Sequence, residues 1–332
     1  MRPLTNAAST ADTERVDLKQ SAAAMEGMVS SVERVITGKR DAVELATCAL
    51  FGGLHLLIED VPGVGKTMLA RAIARSIDGT FKRIQGTSDL LPSDITGATM
   101  YDQTSMSFHF VPGPVFANVL VFDEINRTGP KTQSALLEVM DESSVSVDGN
   151  VYELPRPFFV AATRNPIEHH GTFPLPEGEL DRFGISLVLG YPDAAAESDV
   201  VAAQLVTHPL DELEPVLTTD EVVAHQNAVR TVHVERSVLD YVTAVSRATR
   251  EQPEVVLGAS PRGSVALTRA AQAIAVLRGR DFVMPDDVKH VAPSVLAHRV
   301  LLAGDTGGTT DAAREIVMRV LEQVEAPVLK RG

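Results

Sequence analysis

LHLLIEDVPGVGKTMLARAIARSI, residues 54–77, is the stretch of this 332-residue chain that decides the fold. An apolar segment ending in acidic residues is followed by a turn rich in glycine and proline, and then by residues of helical composition. A loop between a strand and a helix points backbone N–H groups at an anion, and the positive end of the helix dipole adds to the attraction. Gly63 and Gly65 stand where a side chain would block that approach. The order strand, glycine-rich loop, helix predicts the start of an α/β nucleotide-binding domain.

The side chains after the glycines predict the chemistry of the loop. We expect Lys66 to reach the β- and γ-phosphates of a nucleoside triphosphate and the Thr67 hydroxyl to bind Mg²⁺. The pattern G-x-x-x-x-G-K-[ST] has glycine where this chain has Asp60. The alternative is an ordinary surface turn, but the flanking strand and helix favour the phosphate loop. The candidate nucleotide-binding residues here are Asp60, Pro62, Gly63, Val64, Gly65, Lys66, Thr67 and Met68.

Two further apolar strands end in polar residues. NVLVFDEINR, residues 118–127, carries Asp123 and Glu124 at its end. Buried carboxylates are costly unless they bind a cation or take part in chemistry. We therefore expect Asp123 to orient Mg²⁺ and Glu124 to activate or align the attacking water, with a solvated strand end as the alternative. In AATRNP, residues 161–166, Asn165 would lie near the γ-phosphate, although an Asn-Pro turn accounts for the same residues.

The distribution of apolar segments predicts a parallel sheet followed by helices. Their continuous apolar character is typical of parallel strands covered on both faces, and only helical patterns follow Tyr191-Pro192. We predict a mobile tail 1–12, an α/β domain 13–190 and a helical domain 191–332. The predicted strands lie within 54–60, 81–85, 118–123, 158–163 and 184–190, and the predicted helices are 14–37, 41–51, 66–77, 131–140, 194–206, 220–229, 236–250, 261–278, 285–302 and 311–324.

Composition limits the possible functions. Hydrophobic residues make up 44% and charged residues 22% of the chain, which is ordinary for a soluble globular protein. No apolar run approaches the roughly 20 residues needed to cross a bilayer, and no signal peptide is visible, so we expect a cytoplasmic protein. The single cysteine excludes an internal disulfide, and the net charge of −14 opposes general nucleic-acid binding.

Four longer segments carry a more specific resemblance. They are LLIEDVPGVGKTMLARAIA (56–74), FDEINRTGPKTQSALLEVMDE (122–142), VAATRNPIEHHGTFPLPEGELDRF (160–183) and GASPRGSVALTRAAQA (258–273). Together they resemble the MoxR family of AAA+ ATPases, over most of the chain. The resemblance implies an α/β AAA+ P-loop domain with a central five-stranded parallel sheet, followed by a smaller all-helical lid. It also implies an ATPase that uses ATP and Mg²⁺, and Asp60 resembles a variant found in that family.

The resemblance assigns roles to residues that spacing alone does not identify. Arg182, in ELDRFG, corresponds to the arginine finger that would reach the ATP of a neighbouring subunit, with a surface ion pair as the alternative. Arg262, in SPRGS, corresponds to sensor 2, with an ordinary first-turn arginine as the alternative. A cation at a helix N-terminus opposes the helix dipole, so we expect Arg262 to meet an anion. Asn165 corresponds to sensor 1, and Ile36 and Gly38, in VITGK, are candidates for the adenine-binding loop.

Two segments resemble insertions of that family. Residues 97–114 resemble a helix-2 insert, and residues 143–154 resemble a pre-sensor-1 hairpin with an Asp148-Gly149 turn. No Lys or Arg lies between Arg83 and Arg127. Loops without cations do not neutralise phosphates, so we expect a protein client rather than nucleic acid. His169-His170 is interpreted as a polar loop, because adjacent histidines do not easily bind one metal ion together.

These observations predict a MoxR-type ATPase that hydrolyses Mg–ATP between the subunits of a ring, which we expect to be a hexamer, and that remodels or matures protein partners. A von Willebrand factor A domain protein is an expected partner, and membrane insertion is not expected. One rival is a magnesium-chelatase-type motor subunit, which would use the same catalytic residues. Another is an ATP-binding scaffold with little turnover, against which the intact Glu124, Asn165 and Arg182 argue.

Overall fold

A computed structural model describes residues 16–166, 171–204, 209–304 and 310–328. The strands are β1 Leu56–Glu59, β2 Ile77–Asp78, β3 Phe81–Gln85, β4 Gly97–Asp102, β5 Ser107–Pro112, β6 Val119–Asp123, β7 Ser144–Val147, β8 Asn150–Glu153, β9 Phe159–Arg164, β10 Ile185–Leu187, β11 Leu217–Thr218, β12 Val255–Leu257 and β13 Leu301–Leu302. The helices are α1 Leu18–Glu33, α2 Arg40–Phe51, α3 Lys66–Arg75, α4 Pro92–Thr96, α5 Pro130–Glu142, α6 Glu177–Leu180, α7 Ala194–Gln204, α8 Thr219–Val229, α9 Arg236–Ala248, α10 Pro261–Leu277, α11 Pro285–Leu296 and α12 Asp311–Gln323.

A five-stranded parallel sheet in the order β10-β1-β9-β6-β3 forms the centre of the fold. The predicted central parallel sheet is confirmed. β1, β6, β9 and β10 are buried along their whole length. β3 lies at the edge and buries only Ile84, so the prediction that it is covered on both faces is wrong. Parallel pairing brings the carboxyl ends of β1, β9 and β6 side by side, where functional residues collect in open α/β sheets.

The two faces of the sheet pack against different layers. Leu56 and Ile58 of β1 join a large hydrophobic core with α1, α2, α3 and the helices of the C-terminal part. Leu57 points the other way and joins a second core with Phe122 and Leu136 of α5. Successive residues of a strand alternate between faces, so burial of every β1 side chain requires both layers. α10 packs against both α1 and α2, which connects the C-terminal helices to the start of the chain.

Both predicted insertions are antiparallel hairpins. β4 pairs with β5 from Gly97 opposite Pro112 to Asp102 opposite Ser107, and β7 pairs with β8 around the predicted Asp148-Gly149 turn. Both turn residues have positive φ, as a two-residue hairpin turn with matching twist requires. Phe110 of β5 stacks on Tyr152 of β8 with ring centroids 4.1 Å apart. The two hairpins therefore form one connected projection from the sheet.

The C-terminal part is helical as predicted, but it also contains three short strands that the patterns did not reveal. The helix predicted over 285–302 ends at Leu296, and a 3-10 turn, Ala297–Arg299, leads into β13, which pairs with β12. The buried Arg299 donates hydrogen bonds to main-chain oxygens of the α/β part, and this requirement overrides the helical pattern. β11 pairs in parallel with β2. Two-residue strands are too short for periodicity to detect.

Several boundaries also differ from prediction. α1 ends at Glu33 and not at residue 37, and the chain turns at Gly38, where φ is +73°. The predicted tail 1–12, the start of the helix predicted from residue 14, residues 205–206 of another predicted helix and His169-His170 lie outside the described residues. No helix in the described ranges is long and apolar enough to cross a membrane.

A buried histidine connects the start of β1 to its neighbours. The Nδ1 atom of His55 accepts the N–H of Val160 at 3.1 Å, and its Nε2–H therefore donates to the main-chain oxygen of Met140 at 3.2 Å. This arrangement requires the neutral ring, because Nδ1 has no proton. Burial lowers the pKa of His55 to about 4.

We predict that this histidine makes the fold sensitive to acid. The folded-state pKa is below the ordinary value of about 6.5, so protons bind to the unfolded chain first as the pH falls. Between pH 6.5 and 4 the contribution of His55 to the free energy of unfolding should fall by roughly 3 kcal/mol. His55→Asn retains an acceptor for Val160 and does not titrate, so its urea-unfolding free energy should fall less over this range. The exposed His233→Asn is the control. Equal slopes for wild type and His55→Asn would contradict the prediction.

Candidate functional site

The loop 60–65 between β1 and α3 has the backbone of an anion-binding turn. Gly63 has φ +88° and Gly65 has φ +94°, and Gly65 is the N-cap residue of α3. A non-glycine residue is strained in this left-handed region. The first N–H groups of an α-helix have no acceptor within the helix, which is the feature that phosphate sites at helix starts use. The local sequence therefore produces the geometry predicted for it.

Lys66, the first residue of α3, reaches across the end of the sheet. Its Nζ donates to the main-chain oxygen of Asp60 and to that of Arg164, the latter at 3.2 Å. The ammonium is thus placed between the carboxyl ends of β1 and β9. We call this side of the sheet, where β1, β6 and β9 end, the carboxyl edge, and the opposite side the amino edge.

Asp123, at the end of β6, is the centre of a small polar network. Its Oδ1 accepts the Thr67 hydroxyl at 2.8 Å and the Thr163 hydroxyl at 3.3 Å, and its Oδ2 accepts Arg83 Nε at 2.7 Å. Asp123 is only 3% exposed, so these partners offset the cost of burying its charge. Thr67 and Asp123, the two predicted Mg²⁺ ligands, are therefore in direct contact. Both supply hard oxygen donors of the kind that Mg²⁺ prefers.

Glu124 follows Asp123 and turns out of the strand. Its φ is +56°, and its N–H donates to the hydroxyl of Thr163 at 3.0 Å. Its carboxylate accepts Gln85 Nε2 at 2.8 Å and also pairs with Arg127 at 3.1 Å. A Cβ at Gly86 would lie 2.2 Å from the main-chain oxygen of Glu124, so only glycine fits beside this turn. Glu124 thus has a defined position at the carboxyl edge.

Asn165 directly follows β9 at the same edge. It is 8% exposed, and its main-chain oxygen accepts Asn126 Nδ2 at 3.3 Å. Since β9 lies between β1 and β6, Asn165 stands between the phosphate loop and Glu124. The candidate residues Lys66, Thr67, Asp123, Glu124 and Asn165 are therefore brought together by strand order alone.

The Asp60 carboxylate accepts hydrogen bonds from backbone N–H groups. Its Oδ2 accepts the N–H groups of Leu189 at 2.8 Å and Gly190 at 2.6 Å, and its Oδ1 accepts that of Val61 at 2.7 Å. This carboxylate joins the phosphate loop to the segment that leaves β10. A glycine at this position could not do so. Aspartate in place of the usual glycine at position 60 was the only sequence signal of this structural role.

A cavity of about 200 Å³ adjoins the phosphate loop. Ile36, the candidate adenine-loop residue, lines it together with Gly63, Val64, Gly65 and Met68 of the phosphate loop and α3. Gly38 does not line the cavity. A Cβ at this position would lie 3.1 Å from Ala196 Cβ, and the left-handed backbone of Gly38 turns the chain here. The wall also includes Val35, Thr37 and Lys39 of the same VITGK segment. Further lining residues that the sequence did not indicate are Arg34, Gly190, Pro192, Val200 and Pro209.

Arg182 and Arg262 lie far from this site, at the amino edge. Arg182 precedes Gly184, whose N–H donates to the main-chain oxygen of His55 at the start of β1. Arg182 Nε donates to Asp141 Oδ2 at 2.6 Å, and the two Nη atoms of Arg262 lie 3.4 Å from the same oxygen. The structure therefore places both arginines together and at the opposite end of the strands from the phosphate loop.

Polar residues that the sequence did not single out hold these groups in place. Thr163 and Gln85 support Asp123 and Glu124 because β3 and β9 both pair with β6, which places Gln85 opposite Asp123. Strand order is not visible in the sequence, so no local signal marks them. Within the described ranges no group of three or more His, Cys, Asp or Glu side chains could hold a metal ion.

Comparisons with known proteins agree with this geometry. The profile of the ATPase family associated with various cellular activities (AAA) matches residues 55–185, and that of the AAA lid domain matches residues 247–317. The chain is 49% identical over 300 residues to the uncharacterized protein YeaC of Bacillus subtilis, covering 90% of this chain and 94% of that protein. It is 41% identical over 312 residues to the chaperone MoxR1 of Mycobacterium tuberculosis, covering 91% and 82%.

A solved structure supports the same conclusion. The crystal structure of a proposed ATPase from Cytophaga hutchinsonii superposes with a TM-score of 0.84 at 33% sequence identity, covering 94% of this chain and 97% of that one. The fold and the phosphate loop define an AAA ATPase domain followed by an AAA lid domain. The chain belongs to the MoxR family of AAA+ ATPases.

We predict that Asp60 stabilises the phosphate loop through its backbone contacts. Asp60→Ala would leave N–H groups of Val61, Leu189 and Gly190 without their acceptor, at about 1–3 kcal/mol for each one that stays buried. Chemical denaturation should show a loss of about 2–4 kcal/mol, with weaker nucleotide affinity. Asp60→Asn keeps one acceptor oxygen and should lose less. If both variants unfold like the wild type, the contacts do not support the loop.

Proposed function

We propose that this protein binds and hydrolyses Mg–ATP between the subunits of a ring and uses the energy to remodel or mature protein partners. The observation that carries the proposal is that two groups of candidate residues lie at opposite edges of the sheet. The carboxyl edge holds the phosphate loop, Asp123 and Glu124, whereas Arg182 and Arg262 are at the amino edge. In this proposal residues 13–190 form the AAA+ domain and residues 191–332 the lid.

Binding of ATP would use the carboxyl edge of one subunit. The cavity beside Ile36 would hold the adenine, and the loop N–H groups with Lys66 would hold the phosphates. Thr67 and Asp123 would hold Mg²⁺, directly or through water, and the ion would neutralise charge on the β- and γ-phosphates. The 2.8 Å contact between Thr67 and Asp123 supports their acting on one ion.

Hydrolysis would use the neighbouring strand end. A water oxygen bonds to the γ-phosphorus as the bond to the oxygen bridging the β- and γ-phosphates breaks, and ADP leaves. Glu124 would align this water and take its proton, while Asn165 would donate to the water or to a γ-phosphate oxygen. Gln85 and Thr163 restrain Glu124 through their hydrogen bonds to its carboxylate and N–H. General-base catalysis requires a carboxylate that is held in a fixed position.

The arginines would complete the site of the next subunit. A guanidinium beside the γ-phosphate stabilises the charge that develops there, an effect of about 10³–10⁵ in rate in other NTPases. A head-to-tail ring, which we propose to be a hexamer, brings the amino edge of one subunit to the carboxyl edge of the next. Because Arg262 shares Asp141 with Arg182, we propose that both act on the neighbour's nucleotide.

The hairpins support a protein partner. Within β4, β5 and their turn, Met100, Tyr101, Met106 and Phe108 are each more than half exposed, with Met106 at 77%. Exposed apolar patches mark interaction surfaces, and the absence of Lys and Arg between Arg83 and Arg127 argues against nucleic acid. The name of the M. tuberculosis relative, a chaperone, agrees with this proposal. A von Willebrand factor A domain protein is a candidate partner, and the cytoplasm is the proposed location.

We predict that binding and hydrolysis can be separated by mutation. Glu124→Gln keeps the hydrogen-bonding shape but cannot take a proton, so phosphate release should fall at least about 10²-fold while the affinity for a fluorescent ATP analogue is retained. Lys66→Ala should weaken that affinity itself. An equal loss of affinity in both variants would contradict these roles, and full turnover by Glu124→Gln would contradict the proposed ATPase chemistry.

We predict that two inactive variants restore each other. A Lys66→Ala subunit lacks a working pocket but offers its arginines, and an Arg182→Ala subunit does the reverse. In a random equal mixture about a quarter of the interfaces join two intact halves, so ATPase activity should return. Arg262→Ala should recover with Lys66→Ala and not with Arg182→Ala. Sizing of the mixture must show co-assembly, and co-assembled but inactive Lys66/Arg182 rings would place Arg182 outside a shared site.

A further inference from the structure

Asp141 is the point at which two arginines from different parts of the chain meet. Its Oδ2 accepts Arg182 Nε at 2.6 Å, and the Nη1 and Nη2 atoms of Arg262 both lie 3.4 Å away. Arg182 comes from the segment before β10, and Arg262 comes from the first turn of α10. The guanidiniums are partly exposed, with 28% of the Arg182 and 48% of the Arg262 side chain accessible.

The two segments that carry these arginines are also joined by a hydrogen bond between side chains next to them. Asp181 Oδ2 accepts the hydroxyl of Ser260, which is the N-cap residue of α10, at 2.8 Å. Asp181 Oδ1 accepts Arg299 Nε at 2.8 Å, and Arg299 is almost completely buried. Burial lowers the pKa of Arg299 to about 10, opposed by Asp181, so it stays charged near neutral pH. Asp181 therefore connects the segments that carry Arg182 and Arg262. The side chains of the two arginines contact Asp141 instead.

Two guanidiniums at one place repel each other, and each long side chain loses rotamer freedom when it is fixed. A carboxylate between them offsets the repulsion and fixes both. Asp141 lies in the last turn of α5, whose negative dipole end also favours cations. One carboxylate cannot neutralise two guanidiniums, so the group keeps a net positive charge. That charge suits a phosphate of the neighbouring subunit.

We propose that Asp141 is a positioning residue that holds Arg182 and Arg262 as a pair, ready for the γ-phosphate of the neighbouring subunit. The inference rests on the proposed function, in which these arginines act across the interface. Partly exposed ion pairs add little stability, so Asp141 contributes orientation and not folding energy. A preorganised pair of cations needs no rearrangement when the charge develops in the transition state.

The first test measures turnover and binding separately in the full-length protein. Asp141→Ala should lower kcat about 10-fold or more, while the affinity for a fluorescent ATP analogue changes less than about two-fold, because the pocket of each subunit is intact. Asp141→Glu should restore most of the loss, since it keeps the charge. Glu142→Gln removes the adjacent exposed carboxylate and is the matched control. Thermal unfolding and sizing of every variant establish that it folds and assembles.

The second test determines on which side of the interface Asp141 acts. Mixed with Lys66→Ala, Asp141→Ala supplies an intact pocket and receives intact arginines, so the activity should exceed the mean of the two separate variants. Mixed with Arg182→Ala, every arginine side is defective, and the activity should equal that mean. A purely structural defect would not show this polarity.

The outcomes separate this inference from the proposed function. If the Lys66/Arg182 mixture stays inactive in co-assembled rings, the shared active site is wrong. If that mixture recovers but Asp141→Ala retains wild-type or higher turnover, or recovers equally with both partners, the positioning role of Asp141 is wrong. Loss of nucleotide affinity equal to the loss of turnover in Asp141→Ala would also overturn it.

Discussion

Parallel pairing of β1, β9 and β6 is the constraint on which the rest of the structure depends. It gives the sheet two chemically different edges. Strand ends at the carboxyl edge supply the phosphate loop, Asp123 and Asn165, and strand starts at the amino edge adjoin Arg182. Each strand can be parallel to its neighbour only if a long connection returns over a face. α3 and α5 form parts of such connections, so the helix that follows the phosphate loop also covers the sheet.

Burial of charge at the carboxyl edge couples the site to the fold. Asp123 is stable beneath the surface because Thr67, Thr163 and Arg83 contact it, and a metal ion would add a further partner of opposite charge. The buried carboxylate of Asp60 is instead stabilised by backbone N–H groups of the segment after β10. In the proposed domain division the lid begins just beyond that segment, so a movement of the lid would reach the phosphate loop through one carboxylate.

Sequence patterns predicted those parts whose signals are local. The strand, loop and helix around Gly63 to Thr67, the apolar strand ending at Asp123 and the Asp148-Gly149 turn each carry their own signal, and the central sheet followed. Thr163, Gln85 and Asp141 were missed, since their importance arises only when distant segments pair or pack. The helix predicted through residue 302 was wrong for a related reason: Arg299 is buried by tertiary contacts that no local pattern shows. The roles of Glu124, Asn165, Arg182 and Arg262 remain predictions.

The separation of the two edges has a consequence for how hydrolysis could produce movement. A subunit that held the pocket and the arginines in one place would need no neighbour for hydrolysis. Its catalytic cycle would then have no effect on the other subunits of a ring. Here Asp181 connects the segment of Arg182 to Ser260 at the start of α10 and to Arg299 after α11. In the proposed ring, a pull on Arg182 or Arg262 by a neighbour's phosphate would therefore act on two lid elements together. Loss of that phosphate after hydrolysis would release both. In the proposed ring, the chemistry of one subunit would thereby be coupled to the lid of the next through a few charged contacts, and not through the sheet, whose buried strands leave little room to deform.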